Sequence, residues 1–271
     1  RHFLDNSVDL LIGHLAEEPW YPMRNTNRPN VVLGERFSNG RQGVIGWEKW
    51  FQESKGLPQW SQFFLDVGAT SGDDVPVGVG DVGGFVRPFL DLGERLVAKS
   101  MDDRIGCAVA IRALLEMTES PHDVYFVFTV QEEVGTRGAT VSAFGIEPDV
   151  AIAVDVTSMG DTPEARPMAV SLGKGPAIKV MDRGMLAHPA VKEWMVRTAE
   201  RVGVDYQLEV LEFGGTDAGA MQLSRAGVPA GCLSIPCRYV HTTSEMVDYG
   251  DVTQAVRLLG GMVSGAEPLS V

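Results

Sequence analysis

An α/β protein, with a mostly parallel central sheet flanked by helices and a smaller β-rich domain, is the architecture this sequence predicts. Three observations carry it. Residues 124–130 (VYFVFTV) and 150–156 (VAIAVDV) are nearly all apolar and rich in β-branched side chains, as strands covered on both faces by helices are. Between and after such runs, apolar residues recur at helical spacing, as at Ile105, Val109, Ile111, Leu114 and Leu115. Before about residue 85 the texture differs: short apolar or alternating segments are separated by turn-rich stretches such as SNGRQG and SGDD.

In chain order, DLLIG (9–13), FFLDVGA (63–69) and GGFVRPFL (83–90) read as strands of the first domain, residues 1–85, which is expected to serve dimerisation or assembly. Residues 18–30, with Pro19, Pro22 and Pro29, read as an ordered loop. Trp47, Trp50, Phe51, Trp60 and Phe63 form an aromatic-rich stretch suited to an interface or to plain core. The second domain, 86–271, alternates strand and helix: a helix over 102–117, the two apolar runs as buried strands, and a helix over 189–202 with Pro189 in its first turn. A strand at QLEVLEF (207–213), a short helix over 219–225, a buried strand at AGCLSI (230–235) and a closing helix over 251–263 follow.

Composition narrows the function. The chain has 271 residues, 44% of them hydrophobic, which suffices for a sizeable core. A net charge of −13 repels phosphate, so nucleic acid is excluded as a partner. Three cysteines, Cys107, Cys232 and Cys237, make no disulfide framework, and the last two lack zinc-knuckle spacing. There is no apolar run long enough to cross a membrane and no export leader, so a cytoplasmic location is expected.

Chemistry is sought where buried strands end, because ligands of open α/β sheets collect there. Asp102 and Asp103 precede the first long helix; Glu132 and Glu133 follow 124–130; Asp155 ends 150–156; His241 follows AGCLSI. Each has an ordinary reading. Carboxylates at a helix start serve as caps, and a Glu-Glu pair after a strand is often a solvated loop. Asp155 is harder to dismiss, since a buried carboxylate needs a partner. Together the groups suit Zn²⁺, Co²⁺ or Mn²⁺. A shared carboxylate lets two ions about 3.5–4 Å apart act on one water. Of two adjacent glutamates, one can bind metal while its neighbour moves protons.

The segments SMDDRIG, QEEVGTRGA, AVDVT, FGGTDAGA and YVHTTSE, with weaker matches at LDVGATS and LGKGPAIKV, resemble the tetrahedral, or glutamyl, aminopeptidases. That family comprises dinuclear zinc metalloaminopeptidases and includes deblocking aminopeptidases. The resemblance implies a zinc-peptidase-like catalytic domain, two divalent metal ions per chain and small peptides as substrates. It also implies a homo-oligomer, as large as a dodecamer. Asp102 resembles the aspartate that bridges both metals, Glu133 and His241 the terminal ligands of one, and Asp155 a ligand of the other. Glu132 resembles the general base, taking a proton from a water between the metals and returning it to the leaving amine. Gly214, Gly215, Thr216 and Asp217 resemble the wall beside the site. The family's first stretch, with a strand ending in His-x-Asp, has no clean match here. His2 is the first candidate for that missing metal ligand and His14 the second. A catalytically impaired assembly or regulatory subunit, and a related two-metal amidohydrolase or deacylase, are the competing readings.

Overall fold

Two sheets organise the protein, described here from a computed structural model that covers residues 34–37, 42–47, 63–78 and 83–265. The first is antiparallel throughout: β1 (Gly34–Phe37), β2 (Gln42–Trp47), β3 (Phe63–Asp66) and β4 (Gly83–Phe85), in the order β3-β2-β1-β4. The expected strand at 9–13, the loop at 18–30, His2 and His14 lie outside the described residues, as do the side chains of the aromatic stretch from Trp47 to Phe63.

The second sheet holds β5 (Leu90–Asp91), β6 (Arg95–Ala98), β7 (Ala151–Thr157), β8 (Ala177–Met181), β9 (Gln207–Val210), β10 (Ala230–Arg238) and β11 (Glu245–Asp248). β10 is its axis, pairing β7, β8 and β11. The helices are α1 (Met101–Glu116), α2 (Arg137–Ile146), α3 (Pro189–Val202), α4 (Asp217–Met221) and α5 (Tyr249–Ser264).

The period of two along a strand sorts side chains between two helical layers. Val156 on β7 and Leu233, Ile235 and Cys237 on β10 enter the main core with α1, α3 and α5. Ala153 and Cys232 face the other way and pack with Ala218 of α4. Burial on both faces explains why these strands read as continuous apolar runs. Asp155 therefore shares the face of Ala153, and in the ladder it lies opposite the buried Ser234.

The α/β layering is as expected, and the sheet is mixed. Among the described residues β7–β10 and β8–β9 run parallel, while β10–β8, β10–β11, β11–β6 and β6–β5 run antiparallel. An apolar run records that both faces are covered, not which way its neighbours point. Residues 124–130, expected as a buried strand, enter no ladder among the described residues. Phe126 packs on the main core, but Tyr125 is 67% exposed. Composition makes such a segment fit for a strand; neighbouring strands make it one. The short helix begins two residues earlier than expected, at Asp217.

Candidate metal centre

Four connections carry the candidate residues to one place. α1 starts with Asp102 and Asp103 outside helical geometry, at φ −76°, ψ 110° and φ −115°, ψ 45°. Arg104 pins the preceding turn, its Nε donating to the Ser100 carbonyl at 2.7 Å. The next connection is the loop after residue 130. Gly135 and Thr136 N–H groups donate back to the Glu132 carbonyl, at 3.0 and 2.8 Å, and Gly138 N–H to that of Val130 at 2.9 Å. Gly135 sits at φ +113°, and a Cβ on Gly138 would lie 2.5 Å from the Val130 nitrogen. Both glycines of the QEEVGTRG segment are thus required by the turn that presents the two glutamates. β7 delivers Asp155 near its end, and a tight turn after β10, with Tyr239 and His241 both at positive φ, delivers His241.

Two donor groups result, each with its ligand atoms within 4.8 Å of one another. The first is Asp102, Glu133 and His241: His241 Nε2 stands 3.1 Å from Asp102 Oδ2 and 3.2 Å from Glu133 Oε2. Their side chains are 25%, 11% and 10% exposed, in the order His241, Asp102, Glu133. The second is Asp102, Asp103 and Asp155. Asp102 is common to both. Glu132 belongs to neither group, yet it feels the charges of Glu133, Asp217, Asp102 and His241.

Electrostatics reports a deficit of positive charge. Burial, then repulsion from neighbouring carboxylates, pushes Glu132 up to about 8. Burial with Asp155 and Asp102 nearby lifts Asp103 well above the usual carboxylate range, and burial with Asp102 and Glu132 does the same to Asp155. Burial alone would lower His241, but the bonded Asp102 and Glu133 carboxylates outweigh it and raise the imidazole to about 11. Protons are being held where a cation would otherwise neutralise the acids. Oxygen donors with one imidazole are a donor set for Zn²⁺, Co²⁺ or Mn²⁺, so the residues present fit a divalent ion.

Asp103 was not among the ligands expected from the sequence, although it adjoins Asp102 in the same segment. Nor does the sequence mark Glu245. Its carboxylate accepts from the N–H of Asp102 at 2.9 Å and of His241 at 2.8 Å. Of the expected wall segment, Asp217 lies near enough for its charge to help raise Glu132, and its Oδ2 accepts from Thr129 Oγ1 at 2.6 Å; Arg183 N–H donates to the Gly214 carbonyl at 3.1 Å.

A family model described as M42 glutamyl aminopeptidase matches residues 28–258. The chain belongs to the M42 peptidase family. It is accordingly a peptidase, a hydrolase of the aminopeptidase kind. Lysyl aminopeptidase of Pyrococcus furiosus is 34% identical over 281 residues, covering 97% of this chain and 80% of its own. An aminopeptidase from Desulfurococcus kamchatkensis superposes with a TM-score of 0.81 at 41% identity, covering 87% of this chain and 69% of its own. The TET1 peptidase of Pyrococcus horikoshii, described as able to assemble into a tetrahedron or a large octahedral shell, gives a TM-score of 0.76 at 29% identity, covering 86% and 71%.

Proposed function

We propose that this M42 family member is a divalent-metal-dependent aminopeptidase that removes N-terminal residues from peptides, with Glu132 as general base and acid. The observation that carries the reading is the pair of donor groups sharing Asp102, with Glu132 beside them and outside both. Glu133 and His241 would complete the hold on one ion and Asp155, with Asp103 beside it, on the other. Bound there, divalent ions supply Lewis-acid stabilisation of the charge that develops on the scissile carbonyl.

The rest of the chemistry belongs to the chain. Glu132 takes a proton from the attacking water and returns it to the departing amine. Without cations, burial and the neighbouring carboxylates raise Glu132 to about 8; with divalent ions bound beside it that value falls, leaving the carboxylate ionised to accept the proton. The excess of carboxylates suits a cationic substrate terminus, in keeping with cleavage at a free N-terminus. By analogy with the shell-forming relative, the working unit is a homo-oligomer as large as a dodecamer, with the 1–85 domain as its assembly element.

The test combines metal analysis with a panel of aminoacyl and N-acyl amides. About two Zn²⁺ or Co²⁺ per chain with turnover of aminoacyl amides is the expected result. Preference for N-acyl amides would favour a deacylase instead, and absence of metal and turnover an assembly subunit. Glu132→Gln should keep its metal and lose at least about 10²-fold in kcat; retained turnover in that variant removes Glu132 from the mechanism.

A further inference from the structure

Glu245 is 2% exposed, yet both of its carboxylate oxygens are engaged by backbone from distant parts of the chain. Oε2 accepts from Asp102 N–H at 2.9 Å and Oε1 from His241 N–H at 2.8 Å. These are the residues that stand 3.1 Å apart through Oδ2 and Nε2 in the first donor group. Neither amide donates within a helix or a strand ladder. Asp102 is non-helical at the head of α1, and His241 sits at φ +62° in the turn after β10. Each backbone is thus held in place from outside its own element. Glu245 can do this because it opens β11, whose ladder with β6 sets it opposite Ala98, just ahead of the turn that leads into α1.

We infer that Glu245 is a positioning residue for the metal centre: one buried carboxylate that clamps the main chain of Asp102 and His241 and so fixes the spacing of their donor atoms. The inference rests on the reading that Asp102 and His241 hold a divalent ion. A carboxylate is the group for this task because it offers an acceptor to each N–H. A glutamine of the same length offers one acceptor and turns an NH₂ towards the other amide. One ligand backbone is then released while the packing volume is kept. Partners that orient metal ligands change affinity by about 10–100-fold when altered.

The competing idea is that Glu245 is only a buried carboxylate that holds loops together. The fold contains a control for it. Asp251 is fully buried and accepts from the N–H groups of Gly173 and Gly175, both at 2.7 Å, and it belongs to neither donor group. The experiment compares the unaltered chain, E245Q and D251N by Co²⁺ titration, following the visible absorption of the bound ion alongside thermal unfolding. Expected are Co²⁺ binding about 10–100-fold weaker in E245Q with a changed absorption band, and D251N less stable but binding Co²⁺ like the unaltered chain. Unchanged affinity in E245Q, or equal weakening in E245Q and D251N, overturns the inference while leaving the metal reading standing. Failure of the unaltered chain to bind Co²⁺ overturns that reading and this role together. Should E245Q not fold, amide hydrogen exchange on the unaltered, metal-free chain decides. Protection of the Asp102 and His241 amides is expected, and rapid exchange at either overturns the clamp.

Discussion

Gly106 shows how a single missing atom shapes the centre. A Cβ there would lie 2.3 Å from Asp103 Oδ2 and 2.5 Å from Oδ1, and the Gly106 N–H donates to that same carboxylate at 3.1 Å. The glycine of DDRIG is therefore the floor on which Asp103 rests. Gly106→Ala should push the carboxylate aside and cost about 1–3 kcal/mol through overpacking, with weaker metal binding. Urea unfolding of the metal-free variant measures the first effect; a variant as stable as the parent would show that Asp103 can move at no cost. At this scale the sequence exposes part of the site. Glu132, Glu133, Asp155 and His241 are legible because each ends or follows a strongly apolar run, and Asp102 and Asp103 because they precede the first long helix. The part Asp103 takes in the second donor group, and Glu245 altogether, are not, because both depend on what folds against them.

Strands β7, β8 and β9 are joined by a polar contact inside the sheet. Lys179 on β8 and Glu209 on β9 are register partners, and their side chains, both fully buried, meet at 2.7 Å. Thr157 of β7 donates to the same Glu209 oxygen, and the other carboxylate oxygen has no hydrogen-bond partner among the described residues. Lys179→Met would strand that carboxylate in apolar surroundings, at a cost of about 3–5 kcal/mol, whereas removing both charges in K179M/E209L should recover most of the loss. Equal destabilisation of the single and double variants, in denaturant unfolding, would show that shape rather than charge holds the three strands. A second tie joins β10 to the chain before β8. Two of the three Arg238 guanidinium nitrogens, Nε and Nη2, donate to Asp161, each at 2.9 Å. The Arg238 hydrogen bonds hold Asp161 below its ordinary value of 3.8. A folded-state value lower than the unfolded one stabilises above the ordinary range and ceases to as pH falls through the folded value. Asp161→Asn should therefore be less stable than the parent near about pH 6, with the gap narrowing as pH falls below the ordinary carboxylate value; a gap that does not narrow would mean the pair acts by packing. Elements are more legible than sites: the sequence places the 189–202 helix to the residue, since Pro189 opens it and Gly203, at φ +64°, closes it. Residues 124–130 show the opposite case, because strand formation there depends on neighbours that local composition does not specify.

Across the whole molecule, the candidate metal centre draws on residues from 102 to 241 and so is formed only when α1, β7, β10 and the loop after residue 130 are assembled. An ion that binds this arrangement and not the unfolded chain must add to global stability by mass action. At about 100 times its dissociation constant the gain is about 2.7 kcal/mol. For a chain of this size each kcal/mol moves Tm by roughly 2–4 °C, so Zn²⁺ or Co²⁺ should raise Tm by about 5–11 °C and a chelator should reverse it. Because burial and neighbouring charge raise Asp103 and Asp155, the ion must displace protons there, so the gain at a fixed metal concentration should shrink as pH falls. His241→Ala removes the imidazole of the first donor group and should abolish most of the shift; the metal-free Tm should fall as well, since Asp102 and Glu133 lose their cationic partner. A chain whose Tm ignores metal in both forms would be a family member that keeps the architecture without the centre. A shift seen in the parent and lost in the variant would tie stability, metal and the Asp102–Glu133–His241 group to one another in a single measurement.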